Sequence, residues 1–248
     1  MGLLASIQKG KRKAPRRIMV YGPHGVGKST FASEAPAPIF IPTEDGIAGI
    51  DCHSFPLAKT SKDVLTSLAE LRAEEHKYRT VVIDSLDWLE RLIWDAVCKD
   101  KGVDNIEDIG YAKGYTFALN YWRDILRELT LLRDTKKMSC ILLAHCQIEK
   151  FENPETDTYD RYSPKLHKKS SALMQEWCDE VLFASYQIFT KNTDEGFGKK
   201  RTQGVGQGDR ILRTCDRPAH VAKNRLNLEP ELPFEWAAFV EAAKNGGK

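Results

Sequence analysis

The sequence predicts an α/β fold: a mostly parallel sheet with helices on both faces and an antiparallel extension near the C-terminus. Three observations lead there. Short apolar, β-branched runs alternate with stretches of helical periodicity, the order expected of strands joined by crossover helices. The octet Gly22-Pro23-His24-Gly25-Val26-Gly27-Lys28-Ser29 lies between the first such run and the first such helix and fits G-x-x-x-x-G-K-[ST] in full. Two late runs, 180–189 and 210–214, flank a Gly/Lys-rich segment in the manner of a hairpin.

Taken in order, residues 17–21 read as a short buried strand and 29–34 as the first turns of a helix. Residues 38–41 form a second strand, followed by Pro42-Thr43-Glu44-Asp45-Gly46. Thr60-Ser61-Lys62-Asp63 resembles a capping box, so a helix is expected from there to about Glu75. Residues 80–84 are a β-branched run ending in Asp84, and a helix over 86–101 turns Leu89, Leu92, Ile93 and Ala96 to one face. A polar loop over 102–114 precedes strong helical periodicity through Ala118, Trp122, Ile125, Leu126, Leu129 and Leu132. Residues 139–144 are the next buried strand. The polar stretch 146–170 lacks periodicity and is expected to be a long functional loop. The segment 191–208 is expected to be a mobile hairpin tip, and 234–244 a terminal helix.

At 248 residues and 42% hydrophobic content the chain suits one large domain over 17–248, preceded by a basic arm over 1–16. No apolar run is long enough to span a membrane and the N-terminus does not look like a signal peptide. Six scattered cysteines without a C-x-x-C spacing read as reduced, so a cytoplasmic location is expected. Net charge is only +2, yet cations gather in three places: Lys9 to Arg17, Arg161 to Lys169, and Lys199-Lys200-Arg201. Such runs are usually solvated faces; three of them on a nucleotide-binding core favour a polyanionic partner.

The octet and Thr30 are the candidate nucleotide-binding residues. Glycines let the backbone close around a polyphosphate, and the loop N–H groups and helix N-terminus attract its charge. Lys28 is expected on the β- and γ-phosphates of ATP, with Ser29 and Asp84 on Mg²⁺. Glu44 follows a strand end and is the candidate for polarising the attacking water. His145, at the next strand end, is the candidate γ-phosphate sensor, with Gln147 as its alternative. The plain alternatives are a helix-capping Asp84, a surface Glu44 and a structural His145.

Val82-Ile83-Asp84-Ser85, Phe40-Ile41-Pro42-Thr43-Glu44 and the phosphate loop together resemble the RecA-like P-loop ATPases. Gly110-Tyr111-Ala112-Lys113-Gly114-Tyr115 before a long helix is similar to the small phage-encoded members that anneal single strands. The resemblance covers roughly residues 16–230. It implies ATP hydrolysis, single-stranded DNA as partner and a homo-oligomer, ring or filament. A single-strand DNA-binding protein is a further candidate partner. Lys223-Asn224-Arg225 is similar to the Lys-Asn-Arg of the RadA branchpoint helicase and the Lys-x-Arg of DnaB-type helicases. By that likeness Lys223 and Arg225 reach the γ-phosphate held by a neighbouring subunit.

The segments that face nucleic acid in RecA-like proteins correspond here to about 102–115 and 146–170. They offer Tyr111, Lys113, Arg161, Lys165, Lys168 and Lys169 as candidate DNA contacts. Aromatic side chains mixed with cations suit single strands. The chain begins close to the phosphate-loop strand and ends without a further domain, so strand exchange on duplex DNA is not expected. Two other readings stay open: a helicase or helicase loader, and a small-molecule kinase with Lys199-Lys200-Arg201 as an anion-binding lid.

Overall fold

The computed structural model describes residues 3–7, 9–10, 14–187, 189–194, 200–205 and 208–246. In chain order these form β1 (Arg17–Gly22), α1 (Lys28–Ser33), β2 (Pro38–Pro42), β3 (His53–Ser54), α2 (Ser61–Ala73), β4 (Thr80–Asp84), α3 (Leu86–Lys101), α4 (Lys113–Leu131) and β5 (Ser139–Phe151). Then follow β6 (Tyr159–Pro164), α5 (Lys168–Trp177), β7 (Glu180–Tyr186), β8 (Phe189–Asp194), β9 (Lys200–Val205), β10 (Arg210–Arg213), β11 (Lys223–Asn224), β12 (Glu231–Pro233) and α6 (Trp236–Asn245).

The main path of the sheet runs β12-β10-β7-β1-β5-β4-β2-β3. From β7 to β3 all neighbours are parallel; β10, β11 and β12 add the antiparallel extension. The central strands are apolar throughout because both faces are covered. Met19, Tyr21, Ile39, Ile41, Val81, Ile83, Leu142 and Val181 point to the face that carries α2 to α5. Ile18, Val20, Phe40, Val82, Ile141, Leu143 and Leu182 point to the face covered by α1 and α6. The α/β class, the parallel core and the antiparallel extension are those read from the sequence. The capping box is present too: Thr60 accepts from the N–H of Asp63, whose carboxylate accepts from the N–H of Thr60.

The expected loop over 146–170 is overturned. Strand β5 does not stop at Ala144 but runs on to Phe151 and pairs antiparallel with β6. The register explains why a charged stretch is ordered: Glu149 opposes Arg161 and Lys150 opposes Asp160, while Phe151 meets Tyr159 with ring centroids 5.4 Å apart. Helix α5 then takes Lys168 and Lys169 into its first turn. The polar loop before α4 also holds a 3₁₀ turn, Ile106–Asp108, with Ile106 buried. Residues 195–199, and with them Lys199, lie outside the described residues, as do the side chains of Lys200 and Arg201 and the arm residues Lys11, Arg12 and Lys13. Among the described residues no helix is long and apolar enough to cross a membrane.

Glu180 opens β7 with no solvent exposure; its Oε1 lies 3.4 Å from Arg16 and its Oε2 has no partner. Burial pushes its carboxyl up to about 7, against the pull of Arg16. The native state therefore holds this proton more tightly than the unfolded chain does. The stabilisation is complete below the ordinary carboxylate range and is lost as pH rises through about 7. Glu180→Gln is expected to match the parent protein in urea unfolding near pH 4 and to exceed its stability near pH 8 (both roughly, from the same linkage); equal slopes of stability against pH would contradict this assignment.

Candidate active site

The register places the ends of β1, β4 and β5 side by side. Gly22 is level with His145, and Asp84 with Leu143. A Cβ on Gly22 would sit 2.3 Å from the Ala184 carbonyl oxygen, so only glycine lets β1 enter the loop beside β7. Gly25 and Gly27 take φ of 73° and 100°, left-handed values that turn the loop back into α1. On its outer side Tyr186 Oη donates to the Gly25 carbonyl and Arg210 Nη1 to that of Val26, each at 3.3 Å. A cavity of about 530 Å³ lies on the far side of Arg210, lined by Gln187, Glu231 and Phe234 among others and by no residue of the loop.

Within the loop Lys28 Nζ donates to the carbonyls of Gly22 and Pro23 at 3.1 and 3.0 Å. Burial lowers its pKa while Asp84 and Glu44 raise it. Ser29 Oγ donates to Asp84 Oδ2 at 2.6 Å. Burial raises Asp84 above the ordinary carboxylate range, opposed by Ser29 and Lys28. This hydroxyl–carboxylate pair fits Mg²⁺, which binds few protein oxygens and takes the rest from water and phosphate. Among the described residues no cluster of three or more His, Cys, Asp or Glu forms an all-protein metal cage.

Glu44 is held over the same edge because the end of β2 is tied to that of β4. Thr43 Oγ1 donates to the Ser85 carbonyl at 2.6 Å, and the main-chain N–H groups of Thr43 and Glu44 donate to that of Asp84 at 2.7 and 3.4 Å. Burial raises the Glu44 pKa, which His145 opposes; its Oε1 is 3.9 Å from His145 Nε2. Asp45 is exposed. His145 is buried, and Asp87 grips it twice: Asp87 Oδ1 accepts its main-chain N–H at 3.0 Å, and Oδ2 lies 3.0 Å from Nδ1. A proton on Nδ1 facing Asp87 leaves Nε2 towards Glu44. The His24 ring stacks on that of His145 with centroids 3.8 Å apart, and the charge of His145 holds the His24 pKa below its usual value. Asp87 was not singled out from the sequence. Its signal was there: an acid in the first turn of the helix after the Asp84 strand, placed to face the sheet edge.

Lys223 and Arg225 lie elsewhere. Lys223 is level with Val181 near the start of β7, at the sheet edge opposite the phosphate loop. Its Nζ donates to the carbonyls of Gln175, Glu176 and Cys178 at 2.8, 3.0 and 2.6 Å and so caps α5. Arg225 pairs with Asp179 at 3.1 Å and its side chain is 54% exposed. Neither residue reaches the phosphate loop of its own chain.

Of the candidate DNA contacts, Tyr111 is 97% exposed and Lys113 Nζ lies 5.9 Å from its ring. Lys168 and Lys169 are exposed, and Lys169 Nζ donates to Thr116 at 2.7 Å, joining the starts of α4 and α5. Lys165 is half-buried, and its charge lowers the His24 pKa as a minor contribution after those of His145, burial and Lys28. Arg161 is separate from this group: its side chain is only 11% exposed, paired with Asp216 at 2.8 Å and packed over the Phe151 ring.

A strand–glycine loop–helix unit whose helix-start Ser29 bonds the buried Asp84 defines a P-loop nucleotide-binding protein. The chain belongs to an AAA domain family (AAA_24), whose model matches residues 14–226. It is 23% identical over 239 residues to the SPbeta prophage-derived uncharacterized protein YorG of Bacillus subtilis (strain 168), covering 91% of this chain and 64% of that one. The chain thus spans somewhat under two thirds of that relative's length. Among solved structures it is similar to the RadB recombinase, with a TM-score of 0.49 and 12% identity over 91% of this chain and 90% of that one.

Two outcomes follow from the geometry. Lys223→Ala should lower the unfolding free energy by about 1–3 kcal/mol, since it strips charge-assisted bonds from a helix end. Arg225→Ala should cost less than about 1 kcal/mol, as the Arg225 side chain is half exposed and Asp179 keeps its pair with Arg17; urea unfolding without nucleotide measures both. Burial works against the Asp87 charge, but the hydrogen bonds and charge of His145 outweigh it and hold the carboxyl at about 2. Its stabilisation is therefore full above the ordinary carboxylate range and lost as pH falls towards about 2. Asp87→Asn should destabilise at neutral pH, with the deficit shrinking on acidification.

Proposed function

We propose that this protein is a RecA-like ATPase that binds single-stranded DNA in recombination, annealing or replication, and that it works as a homo-oligomer. One observation carries the reading: the phosphate loop and the exposed Tyr111–Lys113–Lys168–Lys169 surface share one end of the sheet, connected through His145 and Lys165. A phage setting is supported only by the prophage origin of a relative.

In this reading Lys28 exchanges its loop carbonyls for the β- and γ-phosphates of ATP, and Ser29 and Asp84 hold Mg²⁺. When bound, Mg²⁺ neutralises phosphate charge. Glu44 orients the attacking water and accepts its proton, and Asp87 fixes the His145 ring so that Nε2 faces the same space. Arg225 serves the γ-phosphate of a neighbouring subunit, while Lys223 anchors the strand that carries it. A cation supplied in trans stabilises charge spread over the phosphoryl oxygens, worth about 10³–10⁵ in rate where such a finger operates.

Glu44→Gln should lower kcat by about 10²–10⁴ while leaving ATP affinity near that of the parent, the pattern of a lost proton acceptor. The wider reading is tested by ATP hydrolysis with and without single-stranded DNA, over a range of protein and salt concentrations. Stimulation by DNA should grow with protein concentration, fall steeply with salt, and vanish in Lys28→Ala and Arg225→Ala. Hydrolysis indifferent to DNA and to concentration would exclude it and favour a small-molecule phosphoryl acceptor. ATP-driven strand separation would instead favour a helicase.

A further inference from the structure

Two side chains grip the phosphate loop from behind. Tyr186 ends β7 and Arg210 opens β10, and the antiparallel register sets them opposite one another. Their main chain is held in place: the Gln187 N–H donates to the Asp209 carbonyl at 2.8 Å, and the Phe234 N–H to the Arg210 carbonyl at 3.1 Å. From this base Tyr186 Oη reaches the Gly25 carbonyl and Arg210 Nη1 the Val26 carbonyl, each at 3.3 Å. Arg210 lies so near that a Cβ on Gly27 would sit 2.5 Å from Nη1. The two carbonyls belong to consecutive peptide groups of the loop.

A trans peptide is planar, so its N–H points away from its carbonyl. Holding the Gly25 carbonyl outward therefore turns the Val26 N–H inward, and holding the Val26 carbonyl outward does the same for the Gly27 N–H. Among the described residues neither N–H has a hydrogen-bond acceptor. Inward N–H groups of such a loop are the ones that cradle phosphates. Gly25 and Gly27, at φ of 73° and 100°, flank both peptides with the residue type that resists a peptide flip least. We propose that Tyr186 and Arg210 are positioning residues for the bound polyphosphate. Each fixes the direction of one phosphate-binding N–H, and neither touches the nucleotide. Without them the empty loop relaxes by turning these peptides, and binding must turn them back. The affinity lost is then bounded by the worth of the missing bond, while the fold itself loses little. This inference rests on nucleotide binding at the phosphate loop and is independent of the single-strand reading.

The test is calorimetric titration of the full chain, in Mg²⁺, with ADP and separately with inorganic pyrophosphate, which carries two phosphates and no base. The unaltered protein should bind both. Tyr186→Phe removes one hydroxyl and keeps the ring. It should weaken both ligands by the same factor, about two- to ten-fold, the worth of one hydrogen bond. Arg210→Gln should weaken both at least as much. Urea unfolding without nucleotide is the second readout: a merely structural role would lower the midpoint of Tyr186→Phe, which should be kept. Unchanged affinities would overturn the proposal, as would a lowered midpoint. A loss for ADP alone would also overturn it, by marking a contact to the base. So would a loss confined to Arg210→Gln, by marking direct attraction of charge. Binding of ADP without pyrophosphate would count against it too, since oriented N–H groups need no base. Binding of neither by the unaltered protein would overturn the nucleotide reading as well. Tyr186→Phe decides the question even if Arg210→Gln fails to fold.

Discussion

Strand β1 is hydrogen-bonded on both sides, to β5 and to β7, and this double pairing fixes where the phosphate loop begins. Gly22 leaves the sheet against the Ala184 carbonyl with no room for a side chain. The loop that follows is pinned from outside by Tyr186 and Arg210, which belong to β7 and β10. The antiparallel extension is therefore part of the site: it supplies the outer wall against which the loop holds its turn. On the other flank, β5 brings His145 level with Gly22, and β4 brings Asp84 to Ser29. Each group at this edge takes its position from strand register, the most rigidly specified geometry in a sheet buried on both faces.

Charge at this edge is arranged so that no buried carboxylate stands alone. Asp84 has Ser29 and Lys28, Asp87 has His145, and Glu44 faces His145 across 3.9 Å. The three carboxylates are not equivalent. Asp87 is held strongly ionised, whereas burial pushes Asp84 and Glu44 towards protonation. The two raised groups are those with cation-binding and proton-accepting roles in the proposed reaction; the depressed one orients a neighbour. Differences of environment among like residues are a familiar way to divide chemical labour within a site.

The parts legible in the sequence were those set by local pattern. The octet and the apolar runs ending at Tyr21 and Asp84 were visible because burial on both faces leaves a continuous β-branched signature, and the box at Thr60–Asp63 because capping is local. The β5–β6 hairpin was not visible. Its order comes from Glu149 facing Arg161 and Lys150 facing Asp160, and each strand alone reads as charged and aperiodic. Asp87 was passed over because its partner lies 58 residues away. Lys223 and Arg225 look alike in sequence; three helix-end carbonyls separate their fates, and no motif records the position of a carbonyl. Arg161 shows the converse: its charge suggested a ligand, and its partner is Asp216.

The continuity of β5 has a mechanical meaning. The strand passes His145 and keeps its pairing to Phe151, six residues further on, a reach of roughly 20 Å at ~3.3 Å per residue. Its return partner β6 leads to the main-chain bond from Lys165 to the His145 carbonyl and then into α5. A flexible loop would absorb a small displacement at the nucleotide; a paired ribbon acts as a lever arm. A displacement where His24 stacks on His145 would be carried along this ribbon towards Phe151 and Tyr159, and the Lys165 bond ties the α5 N-terminus to the same strand.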